Sequence, residues 1–224
     1  MKIILASASP RRYDLLKQMG WDVDVCSQPF AEVETVRGAE EKLKILRNNF
    51  LTNAVAQQNE TLSEKDMVLL SAYRNADLVC GYNALGKGMA AAAVTGTEAP
   101  VVAADTIVVL GDSILGKPAD AADAVRMLRE LSGRAHEVKT ATAVFYQDKT
   151  LLRVVTTKVK FRKLSEKETD WYVKTGEPLD KAGAYGIQGK GAVLVEKIEG
   201  SYDNVVGLPL AEVYEMFLKL GVPL

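Results

Sequence analysis

Apolar positions along the chain fall into short runs separated by helical spacing. Ile3 to Ala6 is one such run and reads as a buried strand. Ser9-Pro10 then supplies an N-cap followed by proline at the first helical position, Leu15, Leu16 and Met19 continue the helix, and Gly20 stops it. A second apolar run, Val23 to Cys26, precedes an acidic stretch containing Glu32 and Glu34. Helical spacing extends from about Ala39 to Gln57. Ser63-Glu-Lys-Asp66 caps a second helix ahead of Met67 to Leu70, and a third covers about Asn83 to Ala93.

Val101 to Ala103 and Ile107 to Leu110 are strand-like runs on either side of Ala104-Asp105-Thr106, and Gly111-Asp112 makes a turn. Asp120 caps a helix through Leu131 that ends at Gly133. His136 to Tyr146 and Leu152 to Phe161 are long strands that can pair as a hairpin around Gln147-Asp148. Ser165-x-x-Glu168 is a capping-box pattern opening a helix that stops near Gly176, and a last helix spans about Pro209 to Leu220. Interleaved strands and helices with hairpins predict an α/β fold: a mixed sheet with flanking helices.

A length of 224 residues suits one domain over 1–224. The formal charge of −1 offers no whole-molecule attraction to nucleic acid or to an anionic membrane, so phosphate binding has to come from a local cluster. Cys26 and Cys80 are far apart and form no CxxC pair, which leaves two buried, reduced thiols as the reading. The N-terminal apolar run stops at Ala6 before Pro10-Arg11-Arg12, too short for a signal peptide. No stretch approaches the ~20 apolar residues that cross a bilayer, so the expected location is the cytoplasm.

Five features carry candidate chemistry. A helix N-terminus after Ser7 and Ser9 presents free N–H groups and partial positive charge, and Arg11 and Arg12 add two forked cations there, a combination suited to phosphate. Asp105 between apolar strand residues is costly to bury unless paired, hydrogen-bonded or on a metal; the alternative is a strand-end aspartate in a turn. Lys117 in Gly116-Lys-Pro118 lies just beyond a short strand. Glu32 and Glu34 alternate with Val33, so in extended chain both point one way and could offer oxygen ligands to a hard cation, or else are simply solvated. Gly81-Tyr-Asn-Ala-Leu-Gly86-Lys87 has P-loop spacing up to the lysine, but Gly88 stands where a Ser or Thr would ligate magnesium. His136 is the only histidine, and no nucleophile elbow accompanies it, so it reads as structural.

Ser7-Ala-Ser9-Pro10-Arg11-Arg12, Ala104-Asp105-Thr106, Gly116-Lys117-Pro118, Leu131-Ser132-Gly133-Arg134, Asp180 to Gly191 and Gly207-Leu208-Pro209 occur in this order. Their succession resembles the Maf family of nucleotide pyrophosphatases, over residues 2 to about 34 and about 82 to 220. The resemblance implies hydrolysis of nucleoside triphosphates to monophosphate and pyrophosphate with a divalent metal, Mg²⁺ or Mn²⁺, in a fold related to inosine-triphosphate pyrophosphatases, frequently as a homodimer. It implies that Asp105 is the proton acceptor; the metal is then expected on Asp105 with a glutamate, Glu34 or Glu32. It further implies that Arg11, Arg12, Lys87 and Lys117 handle phosphates alongside Ser7 and Ser9.

Arg11, Thr106 and Gln188 resemble the branch of the family that prefers dTTP and UTP. The Gln188 amide can both donate to and accept from a uracil or thymine edge. Two departures stand out: a helical insertion at about 35–79, and Lys87-Gly88 where the family has Lys-Ala. Two rival functions remain on the sequence: a P-loop phosphotransferase using Gly81 to Lys87, and a nucleotide-binding regulator that does not hydrolyse.

Overall fold

A computed structural model describes residues 1–51 and 64–224. In chain order its elements are β1 (Lys2–Leu5), α1 (Pro10–Gln18), β2 (Asp22–Val25), α2 (Val36–Leu51), α3 (Glu64–Leu70), α4 (Asn75–Thr95), β3 (Val101–Leu110) and β4 (Ser113–Leu115). They continue with α5 (Ala121–Leu131), β5 (Ala135–Tyr146), β6 (Lys149–Phe161), α6 (Glu166–Lys174), β7 (Val195–Glu199), α7 (Tyr202–Val206) and α8 (Leu210–Leu220). Strands pair in the order β2-β1-β3-β5-β6-β7, with β4 on β3. β1 runs parallel to β2 and β3, whereas β3–β4 and β6–β7 are antiparallel, so the sheet is mixed, as the interleaved pattern predicts.

The chain forms two compact units, one of Met1–Asp105, Ala141–Val154 and Leu210–Leu224, the other of Thr106–Thr140 and Val155–Pro209. In the first unit, Ile3 and Leu5 of β1 and Val101 to Ala104 of β3 are fully buried, as parallel central strands require. Leu16 of α1 and Phe217 of α8 are fully buried too, and Trp21 meets Phe217 at 5.2 Å between ring centroids.

The stretch 35–79 holds α2, α3 and the first turn of α4. The expected end of the first of these helices and the Ser63 cap lie outside the described residues. α4 starts earlier than its spacing predicts and is buried on nearly all sides, which blurs the amphipathic period that marks a helix in sequence. Its glycines are packing positions: a Cβ on Gly86 would collide with the Phe30 ring, and one on Gly88 with the Phe145 ring. Close approach of aromatic rings there offsets the roughly 1 kcal/mol that each helical glycine costs.

The second unit has its own core, in which Leu128, Leu131, Phe161, Tyr172 and Leu194 are fully buried. Asp120 caps α5 by accepting from the Asp123 N–H at 2.8 Å. The capping box on α6 is complete, and the Ser165 N–H, together with Arg162, pulls the Glu168 carboxyl down to about 2. The sequence pattern does not show α7, because five residues are too few to establish a helical period.

Candidate functional site

β3 is one continuous strand, so Asp105 sits in its middle rather than in a turn. It is only 6% exposed, and both carboxylate oxygens are occupied. Lys87 Nζ donates to Asp105 Oδ1 at 2.7 Å and pairs with Glu32 Oε2 at 2.8 Å. Asn83 Nδ2 donates to Asp105 Oδ2 at 3.1 Å. Asn83 and Lys87 are four residues apart on α4 and so share one helix face. A buried carboxylate alone would be strongly unfavourable; here a cation and an amide offset that cost.

The turn from β1 into α1 supplies a second part of the first unit's site. Ser7 is nearly buried, and its Oγ accepts from the Ser9 N–H and from Arg12 Nη1, each at 3.2 Å. Ser9 occupies the N-cap position without capping through its side chain, contrary to the sequence expectation: the bond within this turn comes from the Ser7 hydroxyl instead. Burial draws the Arg12 guanidinium below its ordinary pKa, with Asp105 and Glu32 opposing that shift and Arg11 adding to it. Ser7, Arg11, Arg12, Glu32, Lys87 and Asp105 therefore form one electrostatically coupled group. Glu34 is exposed on the same irregular segment as Glu32, on the other side of buried Val33.

Gly81 to Lys87 does not form a phosphate loop. It lies inside α4, where intrahelical bonds occupy the N–H groups that a P-loop would turn toward phosphate, and Gly81 packs near Leu70 and Leu152. The P-loop phosphotransferase reading is thereby removed. Among the described residues no group of three or more His, Cys, Asp or Glu side chains converges on a point where a metal could sit. Glu32 and Asp105 do offer two carboxylates held by one lysine, a donor set that suits a hard cation completed by water and phosphate oxygens.

In the second unit, Thr106 Oγ1 hydrogen-bonds Thr140 Oγ1 at 2.9 Å. Lys117 is exposed in the turn after β4, and that turn is tied to the Asp180–Gly189 segment because the Gly183 N–H donates to Gly116 O at 2.9 Å. Gly183 has φ +65°, and a Cβ there would press on Val108. Gln188 is exposed at the start of a 3₁₀ turn, Gly189–Leu194. The Tyr172 hydroxyl, accepting from the Gly186 N–H at 3.1 Å, anchors that loop.

His136 is structural, as expected: it is 3% exposed, its Nε2 lies 2.7 Å from the Tyr185 hydroxyl, and burial lowers its pKa to about 4. Cys80 is buried, whereas Cys26 is half-buried and accepts from Gln28 Nε2 at 3.5 Å. Asn83 is the site residue that sequence reasoning missed. The available signal was a polar residue four positions before Lys87 in an otherwise apolar helix.

A family model described as Maf-like protein matches residues 2–220. The dTTP/UTP pyrophosphatase of Dictyoglomus thermophilum is 42% identical over 225 residues, covering 100% of this chain and 98% of that protein. That of Geobacter sulfurreducens is 43% identical over 223 residues, covering 98% and 97%, and that of Salmonella typhimurium 42% over 214 residues, covering 96% and 90%. The solved structure of the Staphylococcus aureus Ham1 protein aligns with a TM-score of 0.39 at 15% identity, over 87% of this chain and 80% of that one, too low a likeness to bear on function.

Proposed function

The chain belongs to the Maf-like protein family, and on that premise we propose that it hydrolyses nucleoside triphosphates to monophosphate and pyrophosphate, with dTTP and UTP as its preferred substrates. One observation carries this reading: a buried aspartate paired with Lys87, which also pairs with Glu32, in a chain similar along its whole length to dTTP/UTP pyrophosphatases.

In the reaction, Asp105 takes a proton from water as the water oxygen bonds to the α-phosphorus. The bond from that phosphorus to the α–β bridging oxygen breaks, and pyrophosphate leaves with the bridging oxygen and its electron pair. Ser7, Ser9, Arg11, Arg12 and the α1 N-terminus bind the phosphates, while Lys87 and Lys117 offset negative charge as it develops. Thr106 and Gln188 contact the base, an assignment supported by their match to the pyrimidine-preferring branch. Asp105 with Glu32 or Glu34 would hold a Mg²⁺ or Mn²⁺ ion. When bound, that ion supplies charge neutralisation on the phosphate oxygens. A homodimer in the cytoplasm completes the proposal, the dimer resting on the family resemblance; among the described residues no helix is long and apolar enough to cross a membrane.

The test is a panel of natural and modified triphosphates with Mg²⁺ or Mn²⁺, scored separately for pyrophosphate and phosphate. Pyrophosphate release from dTTP and UTP should exceed that from purine nucleotides by roughly tenfold or more. Release of phosphate with a diphosphate product, or saturable binding without turnover, overturns the reading.

A further inference from the structure

The segment that carries Glu32 and Glu34 has no regular secondary structure between β2 and α2. Lys87 pairs with its Glu32 and Phe30 packs on Tyr82 and Gly86, while its backbone is held to α4 by the Asn83 side chain. Asn83 Oδ1 accepts from the Val33 N–H at 2.9 Å, and Asn83 Nδ2 donates to the Val33 carbonyl at 2.9 Å, so the amide pairs with Val33 as a neighbouring strand would. The same Nδ2 donates its other hydrogen to Asp105 Oδ2. All three bonds are buried, and Asn83 is 2% exposed.

The orientation of the amide is determined by its partners. Exchanging its oxygen and nitrogen would set two donors against each other at the Val33 N–H and two acceptors against each other at Asp105. Lys87 also joins the two carboxylates, but as a point charge on a flexible four-carbon stem it tolerates a range of separations. Asn83 has a short side chain with a planar end, on a helix packed on nearly all sides, and so tolerates little.

We propose that Asn83 is a positioning residue: one amide ties the Val33 backbone to Asp105 and thereby sets the separation of the Glu32 and Asp105 carboxylates. Lys87 supplies the charge between them and Asn83 the geometry. This rests on the reading that the two carboxylates bind a divalent cation, for which ligand placement governs affinity.

The test uses Asn83→Leu, which keeps bulk without the amide, and Asn83→Ser, which is small and polar in case the first fails to fold. Mn²⁺ binding is followed by the EPR signal of the free ion, with a non-hydrolysable α,β-methylene analogue of dTTP present at saturation. Both variants should bind Mn²⁺ roughly tenfold or more weakly than the wild type. Turnover of dTTP should fall through kcat at a fixed low metal concentration, recover in part at high metal, and leave KM for dTTP unchanged. A lowered melting temperature with Mn²⁺ affinity and kcat unchanged would mark a merely structural asparagine and overturn the proposal, as would the absence of protein-bound Mn²⁺ in wild type and variants alike. Failure of the functional reading is recognisable separately, because the wild type itself would then release no pyrophosphate.

Discussion

Each unit of the molecule buries a polar cluster, and the two treat charge in opposite ways. Around Asp105 in the first unit, Lys87 pairs with both the Asp105 and Glu32 carboxylates, and Asn83 donates to Asp105. Around His136 in the second, Tyr185 and Phe161 pack edge-on against the ring, and burial drives its pKa to about 4, so the imidazole is neutral at ordinary pH. Burial also pushes the Tyr185 phenol up, keeping it protonated. A cluster that gives up its charge contributes packing and one hydrogen bond. A cluster that gathers acidic and basic side chains in the interior at the cost of desolvation has the makings of a site.

The sharpest way to break this comparison is Asp105→Asn, which keeps the shape and removes the charge. Turnover should fall by about 10²–10⁴ with the circular-dichroism spectrum of the folded protein retained; pyrophosphate release at the wild-type rate would refute the role given to Asp105. In the second unit the expected effect is on stability. His136→Phe leaves the Tyr185 hydroxyl without its partner and should cost about 1–3 kcal/mol in denaturant unfolding, while kcat for dTTP stays unchanged.

A smaller effect appears in the pH dependence of stability. The folded-state pKa of His136, about 4, lies below the ordinary 6.5, so the unfolded chain takes up a proton first as pH falls. The stability due to neutral His136 is complete above pH 6.5 and is lost between pH 6.5 and about 4, with a limiting slope of about 1.4 kcal/mol per pH unit. Urea midpoints measured across this window should show the slope in the wild type and lose the His136 share of it in His136→Phe.

Legibility in the sequence divides along the range of the interactions involved. Caps, turns and strand runs follow from neighbours within a few residues, and so the Asp120 cap, the Ser165–Glu168 box, the Gly111 turn and the long strands β5 and β6 were readable. The spacing predicts too short an α4, because a helix buried on nearly every face loses its polar stripe. The P-loop spacing misled for a related reason: Gly81 and Gly86 are spaced by packing against Leu70, Leu152 and Phe30, and spacing alone does not separate a packing glycine from a loop glycine.

The sequence by itself determined that Asp105 is a carboxylate set among apolar strand residues, that Lys87 and two arginines were available to meet phosphate, and that the motifs stand in Maf order. Only the tertiary structure decided that Lys87 joins Glu32 to Asp105 and that Asn83 ties Val33 to Asp105. The physical reason is separation along the chain. Asn83 is 50 residues from Val33 and 22 from Asp105, so no local period or cap relates them, and packing of α4 alone brings the three together.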